Sequence, residues 1–145
     1  MGLKWLSWTA FLSLVVVAVI LTAQDSIFAH DPIGIAAQIM AALLMLWVRL
    51  TFGIRSFHAG ANPTAGGLVT TGPYRFLRHP IYASILMFIL AAAQSHLTWL
   101  NFCLALVATA AVAVRIVAEE RFLVKQYPEY RAYAARTRRI VPFLL

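Results

Sequence analysis

The sequence predicts an all-α integral membrane protein of about four transmembrane helices with a cytoplasmic loop and interfacial C-terminal helices, and three observations carry that expectation. Of the 145 residues, 62% are hydrophobic and only 12% charged, and the mean hydropathy is +0.80, outside the range of soluble domains. The apolar residues gather into runs near the roughly 20 residues that a helix needs to cross a hydrocarbon core of about 30 Å. The basic residues flank those runs instead of interrupting them.

The first run, from Trp5 to Ala23, and the second, from Ile33 to Phe52, are each long enough to span. A cleaved signal peptide is the rival reading of the first, since Lys4 precedes it. Against that, the run exceeds the usual apolar core of about 7 to 15 residues, and Thr22-Ala23-Gln24 is a weak cleavage site. The third run, Ile81 to Gln94, is short, and the fourth, Leu97 to Ala118, is long enough to cross. Only Ser95 and His96 separate these two, so they form a tight antiparallel hairpin.

Charge asymmetry orients the spans. With the amino terminus cytoplasmic, Lys4, Arg49, Arg55, Arg75, Arg78 and every basic residue after Glu120 fall inside, and Arg115 sits near the inner end of the fourth span. The outer loops hold Asp25, His30, Asp31 and His96 but no Lys or Arg. Both termini are therefore expected in the cytoplasm, in the inner membrane if the source is bacterial. The net charge of +7 follows from this topology and interaction with membrane lipids, and nucleic acid is not an expected partner.

Two regions lie outside the hydrocarbon. The connection from Gly53 to Pro80 carries Gly60, Asn62, Pro63, Gly66, Gly67, Gly72 and Pro73, which favour turns over a continuous helix. Irregular backbone beside a membrane must be covered or line a wet cavity, so a folded pocket is expected there. In the tail from Glu119 to Leu145, Phe122, Tyr127, Tyr130 and Tyr133 recur near helical spacing beside Arg121, Lys125, Arg131 and Arg136, and Pro128 divides it into two short interfacial helices. The chain reads as one domain over 1–145, with two N-terminal spans in 1–52 and a core of hairpin and amphipathic tail in 53–145.

Several residues could carry chemistry. Arg115 and Glu119 are one helical turn apart on one face, where each makes the other's charge tolerable. That pair is either a snorkelling Arg beside an interfacial acid or a device in which Glu119 holds a ligand cation while Arg115 holds an anion. His79 precedes Pro80, which fits the first turn of a helix, so an anion such as a carboxylate could rest on the helix start with His79 as a further donor. The plainer alternative is an interfacial His at a helix cap, and Tyr74 and Tyr82 would then be belt aromatics. The histidines divide between the two sides, and no HExxH, Ser-His-Asp, P-loop or GxGxxG pattern occurs, so no metal site is expected. Cys103 has no partner thiol.

The pattern Leu68-Val69-Thr70-Thr71-Gly72-Pro73-Tyr74, then Arg78-His79-Pro80-Ile81-Tyr82, Glu119-Glu120, Tyr127-Pro128-Glu129-Tyr130-Arg131-Ala132-Tyr133 and Arg139-Ile140-Val141-Pro142 resembles the isoprenylcysteine carboxyl methyltransferase family, a group related to phospholipid N-methyltransferases. The resemblance covers roughly residues 66 to 144 and implies S-adenosylmethionine as cofactor, in a pocket formed with the tail helices. It implies cofactor contacts from the loop at Gly66, Gly67, Leu68 and Val69, from Tyr74, from the turn at His79, Pro80, Ile81 and Tyr82, and from Glu119. Arg115 corresponds to a residue on the substrate side, orienting the acceptor. Ser84 stands where many members have glycine.

The implied activity is methyl transfer to a lipophilic acceptor within the membrane. An isoprenylcysteine-type carboxylate is the expected acceptor, because it needs no general base and could be oriented by Arg115; a phospholipid or small amine, which would need one, is the alternative. A non-catalytic assembly or transport subunit, with basic loops on anionic lipid, is the reading from a different class.

Overall fold

The computed structural model describes residues 2–52 and 68–140, and the described secondary structure is helical. Helix α1 runs Gly2–Ala23, α2 Pro32–Phe52, α3 Pro80–Ser95, α4 Trp99–Gln126 and α5 Tyr130–Arg136, with a 3₁₀ turn at Gly72–Arg75 ahead of α3. The helix boundaries follow local chemistry. Asp31 is the N-cap of α2, its Oδ1 accepting from Gly34 N at 2.9 Å with Pro32 in the first turn. Thr98 caps α4 by accepting from Asn101 N at 3.1 Å. Pro80 opens α3, and Pro128 stops α4 at Gln126 because the residue before a proline is pushed out of the helical region.

Among the described residues, three helices are long and apolar enough to cross a membrane, over Lys4–Ala23, Pro32–Thr51 and Trp99–Gln126, which makes this a multi-pass membrane protein. α3 has 16 residues, about 24 Å at 1.5 Å per residue. It falls short of the hydrocarbon thickness of about 30 Å, so of the four expected crossings three meet the length criterion. α2 packs chiefly on α3, α1 on α4, and α3 on α4. Leu14, Val17 and Leu21 of α1 meet Leu104, Ala108 and Val112 of α4 in the buried core. Small residues such as Ala92, Ala108 and Ala118, all shut from solvent, allow close helix approach where dispersion and not the hydrophobic effect drives association. Leu12, Val16, Val19, Ile39, Leu43 and Leu106 point outward, as lipid-facing side chains should.

The bundle has two polar ends. At one, the α1–α2 loop is tied to the α3–α4 loop. Ser95 Oγ accepts from His30 N at 2.8 Å, and His96 Nε2 lies 2.8 Å from Phe28 O. This supports the expected tight hairpin between α3 and α4. At the other end lie Ser7, Thr51, the 3₁₀ turn, the start of α3, the last turns of α4 and α5.

The tail departs from its expected form. In place of two short interfacial helices, α4 continues unbroken past Ala118 to Gln126 and only α5 is separate. Nothing between Ala118 and Gln126 breaks a helix. The polarity changes there but the backbone preference does not.

Candidate functional site

The candidate site is built from the 3₁₀ turn, the first turn of α3 and the last turns of α4, and the tail is strapped across it. Gly72 enters the turn with φ +57, and a Cβ there would run into Thr51 Oγ1 of α2. The residue thus allows both the left-handed backbone and the close approach to α2. Tyr74 is buried within the turn, and its carbonyl accepts the Tyr133 hydroxyl of α5 at 2.7 Å. Beyond α5 the chain turns back along residues 76–79. Arg78 N donates to Arg138 O at 2.6 Å, His79 N to Arg139 O at 3.0 Å, and Arg138 N to Phe76 O at 3.0 Å.

His79 is buried between two carboxylates of α4. Its Nδ1 lies 3.9 Å from Glu119 Oε2 and its Nε2 lies 3.4 Å from Glu120 Oε1. Glu120 is also gripped by two arginines. Arg78 Nη1 reaches Oε1 at 2.9 Å, and Arg139 Nη2 reaches Oε2 at 3.0 Å with its Nε at 3.2 Å. The Glu120 side chain is 13% exposed and that of Glu119 is 30% exposed, so Glu119 is the more accessible acid. The expected anion seat at the start of α3 therefore has acids on both sides of the imidazole. The His79 amide is also taken by the tail, and the two flanking carboxylates make this a better seat for a cation than for an anion.

Tyr82, one turn into α3, packs its ring 5.7 Å from that of His79. Its hydroxyl accepts from Arg115 Nε at 3.1 Å. Arg115 is 5% exposed. Its Nη1 reaches Ser7 O of α1 at 3.1 Å, and its guanidinium lies 5.3 Å from the ring of Phe11 and 5.5 Å from that of Tyr82. Arg115 reaches α1 and Tyr82, Glu119 faces His79, and Tyr82 also hydrogen-bonds Glu119, so the two charged side chains meet at one phenol. Burial raises the hydroxyl pKa of Tyr133 to about 12. Burial, then the charge of Glu119, raises that of Tyr74, and burial, then Glu120, raises that of Tyr130. All three phenols stay neutral donors near neutrality.

Of the residues singled out from sequence, Tyr74, His79, Pro80, Tyr82, Arg115 and Glu119 come together at this end of the bundle. Ile81, Leu68 and Val69 are half-buried, and Gly66 and Gly67 lie outside the described residues. Ser84 is buried on α3, its hydroxyl donating to Ile81 O at 2.8 Å and facing Met45 Sδ of α2 at 3.9 Å. It belongs to the α2–α3 seam. Glu120 and Arg139 belong to the quoted pattern but carry no expected role there, and Ser7 is outside it. Among the described residues no group of three or more His, Cys, Asp or Glu side chains is placed to hold a metal ion.

Comparison with known proteins bears on this arrangement. The phospholipid methyltransferase family model matches residues 31–130. The chain is 34% identical over 113 residues to the cobalt-zinc-cadmium resistance protein CzcN of Cupriavidus metallidurans, covering 77% of this chain and 49% of that protein. It is 32% identical over 113 residues to the nickel-cobalt-cadmium resistance protein NccN of Alcaligenes xylosoxydans xylosoxydans, with the same coverage of 77% and 49%. The chain thus spans about half the length of these curated relatives. No solved structure matches it.

Proposed function

The chain belongs to the phospholipid methyltransferase family, and from that premise we propose that it transfers a methyl group from S-adenosylmethionine to a lipophilic acceptor held in the membrane. The observation that carries the reading is the partly exposed Glu119 beside His79 and Tyr82, at the end of the bundle where the 3₁₀ turn and the tail close. This donor set fits the cofactor. A carboxylate suits its ammonium and sulfonium charges, and the rings of Tyr74 and Tyr82 offer flat apolar walls. Glu119, His79, Tyr74 and Tyr82 would hold it, with Pro80 and Ile81 shaping the turn and Leu68 and Val69, half-buried ahead of it, as further contacts. When bound, the cofactor supplies an electrophilic methyl group whose bond to sulfur breaks as the acceptor's lone pair forms the new bond.

The residues contribute alignment, exclusion of water and one proton site. An amine-headed lipid is the acceptor we favour. Its ammonium form has no lone pair, so a proton must first leave, and His79 between Glu119 and Glu120 is placed to accept one. A carboxylate acceptor such as an isoprenylcysteine is the second reading. It needs no base, and the charge of Arg115 would favour its approach. We place this end of the bundle and both termini on the cytoplasmic side, the side from which a soluble cofactor enters.

The test is transfer of labelled methyl from S-adenosylmethionine by the full chain in nanodiscs containing phosphatidylethanolamine, and separately with N-acetyl-S-farnesylcysteine. Acid- and base-stable label in lipid supports the amine, and base-labile label supports the carboxylate. The metal-resistance names of the two relatives favour one competing reading, an accessory subunit of such a system. It predicts no transfer to either probe and no cofactor binding.

A further inference from the structure

We propose that α1, which lies outside the family-matched segment, completes the cofactor site: Phe11 and Ser7 clamp Arg115, and Arg115 in turn holds the hydroxyl of Tyr82. The inference rests on the reading of Tyr82 as a cofactor-facing residue. It begins from an oddity of burial. A guanidinium that is 5% exposed inside a membrane bundle is expensive unless its charge and donors are met, and here much of what meets them comes from α1. Ser7, itself buried, offers its carbonyl at 3.1 Å and its hydroxyl at 3.5 Å to Nη1. The Phe11 ring centre lies 5.3 Å from the guanidinium carbon and that of Tyr82 5.5 Å from it. Trp8 backs Phe11 edge-on with ring centres 6.0 Å apart. The clamp is therefore itself supported.

The consequence falls on Tyr82. A phenol that accepts from Arg115 Nε has one lone pair committed, so its own O–H is directed away from the arginine. The ring stands beside His79, so the orientation set by Arg115 is passed to the wall on which the cofactor rests. Phe11 and Ser7 touch neither reactant and are positioning residues. α1 thereby does more than anchor the chain.

The experiment measures S-adenosylhomocysteine affinity by calorimetry on the full chain in nanodiscs, for wild type, Phe11→Ala, Phe11→Tyr, Tyr82→Phe and the Phe11→Ala, Tyr82→Phe double variant. Phe11→Ala should weaken binding about tenfold, in the range expected for losing a desolvated cation–π contact. Phe11→Tyr should restore it to within about twofold, and the double variant should be no weaker than Tyr82→Phe alone, since the two residues act through one hydroxyl. Unchanged affinity in Phe11→Ala, or losses that add in the double variant, would overturn the clamp while leaving the methyltransferase reading intact. Wild-type protein that binds no S-adenosylhomocysteine would instead overturn that reading, and the clamp with it.

Discussion

Replacing Glu120 by Gln should loosen the tail over the site by about two orders of magnitude in local opening. The Arg78 and Glu120 side chains are 14% and 13% exposed and meet at 2.9 Å. Removing one member of a buried pair costs about 3 to 5 kcal/mol, and residual solvent access at both ends brings this to about 2 to 3 kcal/mol. Arg139 is 52% exposed, so its pairing adds only about 0.5 to 1 kcal/mol. The total, about 3 kcal/mol, is roughly a hundredfold in an equilibrium constant, at 1.4 kcal/mol per factor of ten. It acts where the backbone of 76–79 is tied to Arg138 and Arg139. Amide hydrogen exchange reads it directly, since the amides of Arg78, His79 and Arg138 are the donors in that ladder. The Arg139→Ala variant should accelerate their exchange only about twofold to fivefold. If Glu120→Gln changes it by no more than Arg139→Ala does, the carboxylate is not what holds the tail, and the strap account fails.

Other perturbations probe separate parts of the structure. Gly72→Ala forces a side chain into the left-handed region at φ +57 and against Thr51. It should destabilise the turn by about 2 kcal/mol or more, read as a lower thermal midpoint, and a midpoint equal to wild type would show that the turn relaxes freely. The Tyr133 hydroxyl, with its pKa pushed up to about 12 by burial, favours the docked tail. That stability is present below the unfolded value of about 10 and is lost as pH climbs through the folded one. Tyr74 and Tyr130 are shifted in the same direction. Tyrosinate absorbance should therefore rise late and steeply, and all five tyrosines titrating together near pH 10 would contradict the burial. Ser95→Ala at the opposite end removes contacts to His30 N, Asp31 N and His30 Nδ1. It should lower stability by about 1 to 2 kcal/mol while leaving S-adenosylhomocysteine affinity unchanged, and a loss of affinity would mean that the two ends are coupled.

Much of this architecture is legible in the chain because it depends on local chemistry. The apolar runs gave α1 and α2 close to their observed bounds, Pro80 marked the start of α3, and Pro128 marked a break. The apolar run of α4 ends at Ala118 where polarity changes, whereas the helix ends where its backbone is interrupted, at Gln126. The site was only half readable. Spacing puts Arg115 and Glu119 on one face, yet Arg115 also engages Ser7 and Tyr82, distant in sequence, and no periodicity within α4 reveals them. Glu120 was overshadowed by its neighbour. The available signal was a second acid facing a chain rich in arginine, but assigning Arg78 and Arg139 to it requires knowing that the tail folds back along residues 76–79.

The central claim is that Glu119, His79 and Tyr82 form the seat of a methyl-donor cofactor. Calorimetric titration of the full chain in nanodiscs with S-adenosylhomocysteine, beside His79→Ala and Glu119→Ala, tests it most directly. The account predicts saturable binding at one site per chain that falls at least tenfold in both variants while their thermal midpoints stay near that of wild type. Folded wild-type protein that gives no binding heat, or variants that bind as tightly as wild type, would contradict it.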